Sequence, residues 1–395
     1  MDPVPNVLVR PFVLLSLATV LVTAAAVAQP VAVTPTTCGT VDVPVNETIV
    51  ERRLLGCGEG FAENVLWHLD RSDSISGAPN GKALRRTTGR GAVIYVMDTG
   101  VMRAHAEFQR PAGSNVLDGI NAGGYAGCEA PDVAPCYLRD FPLQALFYGH
   151  GTSVASVAAG AHVGVAPDAS IVPVLFRDPE TLDRALYAII RHAFEPTTPP
   201  FRTAVINLSL SLTQREQSPE RDALFARMTR GVDADGNADP NGKRFLFTAA
   251  AGNRYAGRSS QCAPDGSVLL YPAILGPSID GVVTVGGLDR SNELWSGSCA
   301  GAQVELLAPA AELLTASIIQ PDTYRYKPDE TSSGTSWAAP FAAGIAARML
   351  EENPNLTPAE LEAALKASPS RVGGLPVAVR VESAPPKPRR RAVGW

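Results

Sequence analysis

Five short apolar runs, rich in β-branched residues, recur along the chain: "AVIYVMD" (92–98), "SIVPVLF" (170–176), "TAVINLSL" (203–210), "RFLFTAAAG" (244–252) and "GVVTVGGL" (281–288). They are nearly continuous in hydrophobicity instead of alternating, which marks strands covered on both faces. Between them lie segments with helical spacing, "GTSVASVAAG" after His150, "LDRALYAIIRHAF" (182–194) and "ERDALFARMTRG" (220–231). Strands alternating with helices predict an α/β fold, three layers deep, with a mostly parallel central sheet between helices. In such a fold ligands bind beyond the carboxyl ends of the strands.

One later segment is apolar on every side. In "SGTSWAAPFAAGIAARML" (333–350), Phe341, Ile345 and Met349 follow a four-residue spacing while alanines and Gly344 fill the other faces. A helix of this kind is buried all round. Ser336 stands at its mouth, where serine is a preferred N-cap. A cap at Ser336, however, would ask Pro340 for the first intrahelical N–H, and proline has none. The other reading makes Ser336 a nucleophile, with the free N–H groups and partial positive charge of a helix N-terminus beside it. Farther on, "TPAELEAALKAS" (357–368) places Thr357 and Glu360 at capping-box spacing before an amphipathic surface helix.

Composition narrows the class. With 395 residues, 45% hydrophobic and 18% charged, the chain has material for a large buried core. A net charge of -5 and a single dense basic run, "KPRRR", exclude nucleic acid as an expected partner. Residues 11–28, "PFVLLSLATVLVTAAAVA", follow Arg10 and end in "AVA" before Gln29, which reads as a signal peptide over 1–28 with cleavage before Gln29. The alternative is an uncleaved anchor. The expected location is therefore secreted or periplasmic, with no membrane span once the signal is removed. Residues 29–62 read as a leader, 63–370 as the main domain, and 371–395 as a Pro-rich basic tail.

Six cysteines suit an exported chain, and proximity suggests the pairs Cys38–Cys57, Cys128–Cys136 and Cys262–Cys299. No C-x-x-C or Cys/His cluster points to zinc. The stretch "VDADGNADPNGK" (232–243) carries oxygen ligands at alternating positions but lacks the Gly and Glu of an EF-hand loop. It reads as a polar turn, with calcium as the alternative; no cofactor is expected for chemistry and no metal ligand is assigned.

Three groups suited to an acid–base–nucleophile relay sit beside glycines at the ends of buried elements. Asp98 closes a strand before Thr99 and Gly100, His150 opens an apolar small-residue helix, and Ser336 opens the buried one. Each alone has an ordinary role as turn, cap or packing residue. Asn253, in "AAAGN" after another strand, offers an amide donor of the sort that stabilises an oxyanion.

The motifs "VMDTGV", "HGTSVASVAAG", "INLSLS", "AAAGN" and "GTSWAAPFAAG" resemble, in order and context, those of the subtilisin-like serine proteases, from about Val65 to about Ala367. The resemblance implies that fold and an Asp98, His150, Ser336 triad, in the chain order of that family. It further implies an oxyanion hole of the Asn253 side chain and Ser336 N–H with help from Thr335. Extended polypeptide substrates are implied as partners, acting on a monomer and pairing with Ser209, Leu210 and Ser211, with Ala249, Ala250, Ala251 and Gly252 beside the pocket. The competing class is a non-catalytic relative that uses the groove for binding or scaffolding.

Departures from the pattern are few. Ser153 replaces the histidine common after "HGT", Phe341 the histidine common after the S-x-x-P segment, Trp337 the methionine common beside the nucleophile, and Ser211 a usual glycine. The leader is shorter than the inhibitory prodomain usual in secreted relatives. A side chain at Ser211 narrows the pocket, so small or medium apolar P1 residues are expected.

Overall fold

The apolar runs become strands with little adjustment at their ends: β1 (Val93–Asp98), β3 (Ser170–Leu175), β4 (Thr203–Leu208), β5 (Arg244–Ala250) and β6 (Val282–Leu288), joined by β2 (Ile120–Asn121) and β7 (Leu306–Pro309). All seven are parallel, in the order β7-β6-β5-β4-β1-β3-β2. The structure, a computed structural model, describes residues 40–44, 50–54, 66–73, 82–124, 149–176, 179–254, 260–318, 321–325 and 333–380. The expected signal peptide, Cys38, Cys57, Cys128 and Cys136, and residues 381–395 lie outside them. Among the described residues no helix is long and apolar enough to cross a membrane.

Side chains alternate along each strand, so one sheet serves two cores. Ile94 and Val96 of β1 face helices α1 (His150–Ala159), α4 (Thr335–Glu352) and α5 (Pro358–Lys366). Val93, Tyr95 and Met97 face α2 (Leu182–Ala193) and α3 (Pro219–Arg230). This is the three-layer arrangement expected from the pattern. Ser218 caps α3 through the Arg221 N–H, and the Thr357–Glu360 capping box of α5 is formed in both directions.

Helix α4 runs through the first core with every residue from Trp337 to Leu350 buried. Gly344 permits its closest approach, because a Cβ there would sit 2.7 Å from the Val165 Cβ and 2.9 Å from the Ala158 carbonyl. At its far end Glu351 accepts three consecutive backbone N–H groups, from Thr88 (2.6 Å), Gly89 (2.7 Å) and Arg90 (3.1 Å), just before β1 begins. Successive N–H groups turned to one side form an anion-binding nest. The two elements are thus tied at one end by a charge-assisted grip.

Segments read as leader and tail also carry structure. Thr40–Pro44 and Val50–Leu54, in the leader, form antiparallel strands that pair onward with Lys82–Arg85. Past residue 370, Val377, Ala378 and Val379 are buried and the Ala378 N–H donates to the Leu307 carbonyl of β7. Three small apolar residues in a row are better served by the sheet edge than by solvent.

A second polar knot lies below α1. Glu107 is fully buried and accepts bonds from the His162 ring (2.9 Å), the His162 and Val163 N–H groups (3.0 and 3.1 Å) and the Tyr324 hydroxyl (2.5 Å). Burial alone would raise its pKa, but these donors hold it down to about 2. His68, bonded to the Val163 carbonyl, is pushed down to about 4 by burial. Both folded pKa values lie below the unfolded ones, so the unfolded chain binds more protons in acid and stability falls with pH. Unfolding in urea should show loss from pH 6.5 to 4 as His68 is forced to charge, then a further loss from about 4.5 toward 2 as Glu107 protonates. The Glu107→Gln variant should lose the second phase and keep the first.

Candidate active site

Asp98 is the last residue of β1, whose neighbours β3 and β4 lie on opposite sides of it in the sheet. The connections therefore diverge at this point, and a crevice opens at the carboxyl ends. His150 is the first residue of α1, entered through Gly149 in a left-handed conformation (φ 75°). Its Nδ1 lies 2.9 Å from both Asp98 carboxylate oxygens, with side-chain exposures of 14% and 3%. Gly151 makes this approach possible, since a Cβ there would lie 2.3 Å from the Gly100 carbonyl. The carboxylate also accepts the Thr99 N–H at 2.7 Å. With Nδ1–H donated to Asp98, the neutral imidazole carries its lone pair on Nε2, the atom a general base needs.

Ser336 is the second residue of α4, capped by Gly334, and is half-buried while its neighbours Thr335 and Trp337 are buried. The cap reading of Ser336 is thereby replaced by a first-turn position. Thr335 gives its N–H to Asn253 Oδ1 at 2.8 Å and its hydroxyl to the same atom at 3.0 Å. Trp337 gives its N–H to the Gly334 carbonyl at 2.9 Å. The N–H of Ser336, between them, lies in the turn where no helix carbonyl is within reach. Because Asn253 Oδ1 is the accepting atom, the Nδ2 end of the same amide is the one turned toward other acceptors. Gln261 holds the Asn253 backbone from both sides, accepting its N–H and donating to its carbonyl, each at 2.9 Å. The neighbouring Cys262–Cys299 disulfide, one of the three expected pairs, closes a loop of sequence separation 37 around this segment.

Residues 89–378 match the profile of the Subtilase family. The chain belongs to that family. Among curated relatives, it is 30% identical over 311 residues to Subtilisin-like protease 3 of Pseudogymnoascus destructans, covering 76% of this chain and 63% of the relative. It is 28% identical over 328 residues to the Alkaline extracellular protease of Yarrowia lipolytica, covering 78% and 60%. The chain thus spans about three-fifths of the length of these relatives. The crystal structure of a cold adapted subtilisin-like serine proteinase superposes with a TM-score of 0.57 at 25% identity, covering 80% of this chain and 98% of that one.

Within this subtilase Ser209 has a side-chain role that the sequence reading did not include. Its backbone is the part expected to pair with substrate; its hydroxyl donates to the Ser336 carbonyl at 2.8 Å and accepts from Asn207 Nδ2 at 2.9 Å. The reason is Pro340, which sits in the second turn of α4, four residues after Ser336. Proline cannot supply the N–H that this carbonyl would otherwise accept. Ser209 supplies it from outside the helix.

The expected wall of three alanines also changes. Ala249 and Ala251 belong to the core against α2 and α3, and strand alternation puts the buried Ala250 side chain on the opposite face. Leu210 and Ser211 are partly exposed, and Leu212 pairs with Tyr271 through two backbone bonds of 2.9 and 3.0 Å. In the 232–243 turn the Asp233 carboxylate accepts the Asp235 and Asn237 N–H groups, both at 2.9 Å, and closes its own loop. Among the described residues no group of three or more His, Cys, Asp or Glu is placed to hold a metal.

Gln261 and the hydroxyl of Ser209 carried no motif signal of their own. The signal for Ser209 was indirect: a proline at i+4 predicts an orphan carbonyl at i, here on Ser336. Removing the surrogate donor by Ser209→Ala should lower stability by about 1–2 kcal/mol in urea unfolding. In a Pro340→Ala background, where an N–H is restored, the same change should cost clearly less, and equal costs in both backgrounds would dismiss the coupling.

Proposed function

We propose that this subtilase is an exported serine endopeptidase in which Ser336 attacks the peptide carbonyl, His150 moves the proton and Asp98 holds the imidazole. The observation that carries this reading is the Asp98–His150 contact, 2.9 Å to both oxygens, at the sheet edge where α4 presents Ser336. His150 Nε2 takes the Ser336 Oγ proton as the Oγ–C bond forms, and returns it to the leaving amine as the C–N bond breaks. Water then repeats the sequence on the acyl-enzyme. Asn253 Nδ2 and the Ser336 N–H face the developing oxyanion, and Thr335 acts by fixing which end of the Asn253 amide is turned outward. The relay uses protein groups alone, so no cofactor enters it.

Substrate affinity comes from backbone pairing of an extended peptide on Ser209–Ser211, a strand added to an edge. Leu212 is already paired with Tyr271, which sets where that edge ends. Ser211 and Ala250 then border the P1 side chain, with Gly252 opening the floor. Export rests on the 1–28 segment, and the Cys262–Cys299 bridge suits an oxidising compartment.

A fluorophosphonate probe should label the wild-type chain and not Ser336→Ala. Asn253→Ala should keep KM and lower kcat by roughly 10²–10³. Labelling that survives in Ser336→Ala would remove the nucleophile assignment, and an unlabelled, folded wild type would favour a peptide-binding scaffold. On a peptide library the P1 profile should be led by small and medium apolar residues; dominance of Arg, Lys or Trp would overturn the pocket reading, and Ser211→Gly should admit larger side chains.

A further inference from the structure

Trp337 follows Ser336 in the first turn of α4, and its indole lies against the His150 imidazole with ring centroids 5.3 Å apart and planes tilted by 34°. It is 5% exposed and belongs to the core formed by α1, α4 and the sheet. Its Nε1–H is buried with no acceptor among the described residues. Leu, Met or Phe would fill the same space without stranding a donor, so packing alone does not account for an indole here. What the indole adds is a π-face. A cation within about 6 Å of an aromatic centroid is attracted to that face, and the indole ring attracts it most strongly.

We propose that Trp337 is a positioning residue that holds and stabilises the His150 imidazolium formed during catalysis. This rests on the reading of His150 as the general base. When Nε2 accepts the Ser336 proton the ring gains a full positive charge, and two neighbours then share it. Asp98 acts in the imidazole plane through Nδ1, and Trp337 acts from the side of the ring. In the neutral state the same contact is an offset stack that limits tilting of the imidazole. Trp337 is itself clamped, with its backbone N–H on Gly334 and its ring in the core.

The charged groups on elements packed against α1 are few. Asp98 of β1 meets the ring directly. Glu107 and His162 pair with each other at the opposite end of the helix, beyond Gly160, and His105 bonds to the Thr323 carbonyl. Arg348 of α4 lies three turns from Trp337, toward Thr87. The first turn of α1 (Gly151, Thr152, Ser153) and the segment Thr315–Ile318 carry no ionisable side chain. Among the described groups named here, Asp98 and Trp337 are the two that meet the His150 ring.

The test is the His150 titration in wild type, Trp337→Phe and Trp337→Leu, followed by NMR on ring-labelled histidine and assigned with His150→Ala. A cation held over an indole gains roughly 2- to 30-fold in its equilibrium, so Trp337→Leu should lower the midpoint by about 0.4–1.5 pH units. Trp337→Phe should fall between the two. The acid limb of kcat/KM should move by the same amount, with kcat at the plateau reduced 2- to 30-fold and KM within about two-fold. Equal midpoints in all three proteins, whatever the loss of rate, would overturn the proposal and leave Trp337 a packing residue. If Trp337→Leu fails to fold by near-UV dichroism, the wild-type and Phe comparison decides alone. A wild type that titrates as expected but neither hydrolyses peptide nor takes up fluorophosphonate would defeat the protease reading and not this pairing.

Discussion

A helix with no solvent face has no freedom to roll, and the whole site is referenced to one. Helix α4 is buried from Trp337 to Leu350, and the contact at Gly344 against Ala158 and Val165 brings its backbone onto α1 as closely as side chains allow. Any rotation of α4 would drive a Cβ into a neighbour, at the packing densities of protein interiors. The side chains at its N-terminus inherit that rigidity. Ser336 and Trp337 point where they do because the residues beneath them cannot move, and His150 is placed from the same layer by α1.

Layering also divides labour. The core against α2 and α3 takes the large aromatic packing, such as Phe225 against Phe247 at 4.7 Å between centroids. The opposite core holds the helices whose first turns carry His150 and Ser336. Strand ends supply what is left: Asp98 from β1, Ser209 after β4, Asn253 after β5. These three follow neighbouring parallel strands, so the sheet register alone brings them to one edge. Polar groups collect there because strands leave the doubly covered core at that edge and their backbones turn toward solvent.

The architecture was legible in the chain because burial on both faces writes itself as uninterrupted apolar runs, and each of the five became a strand ending within two residues of its expected limit. Asp98, His150, Ser336 and Asn253 were legible for a different reason: each is a polar residue flanked by glycine or small residues at the edge of such a run. Contacts across the fold were not. That Ser209 serves the Ser336 carbonyl follows from a gap left by Pro340, 131 positions away in the chain, and only the folded distance of 2.8 Å closes the inference. Likewise the alternation that sends Ala249 and Ala251 inward and Ala250 to the other face was available from strand periodicity, but three identical small residues gave no contrast by which to see it. The packing of Val377–Val379 on β7 was hidden by the Pro-rich stretch that follows.

The grip of Glu351 on Thr88, Gly89 and Arg90 gives the site a mechanical character. Strand β1 and helix α4 run antiparallel to one another, joined at the bottom by that grip and carrying Asp98 and Ser336 at their upper ends, like two tines of a fork held along their length by the sheet pairing of β1 and the buried packing of α4. A small change of angle at the joint is multiplied by the length of the tines, roughly 20 Å, before it reaches the gap between them. A difference of only a few degrees at Glu351 corresponds to a displacement on the order of 1 Å between Asp98 and Ser336, which the close packing around both elements holds in check. The spacing of Asp98 and Ser336 is thus set in part by a carboxylate at the far end of both elements.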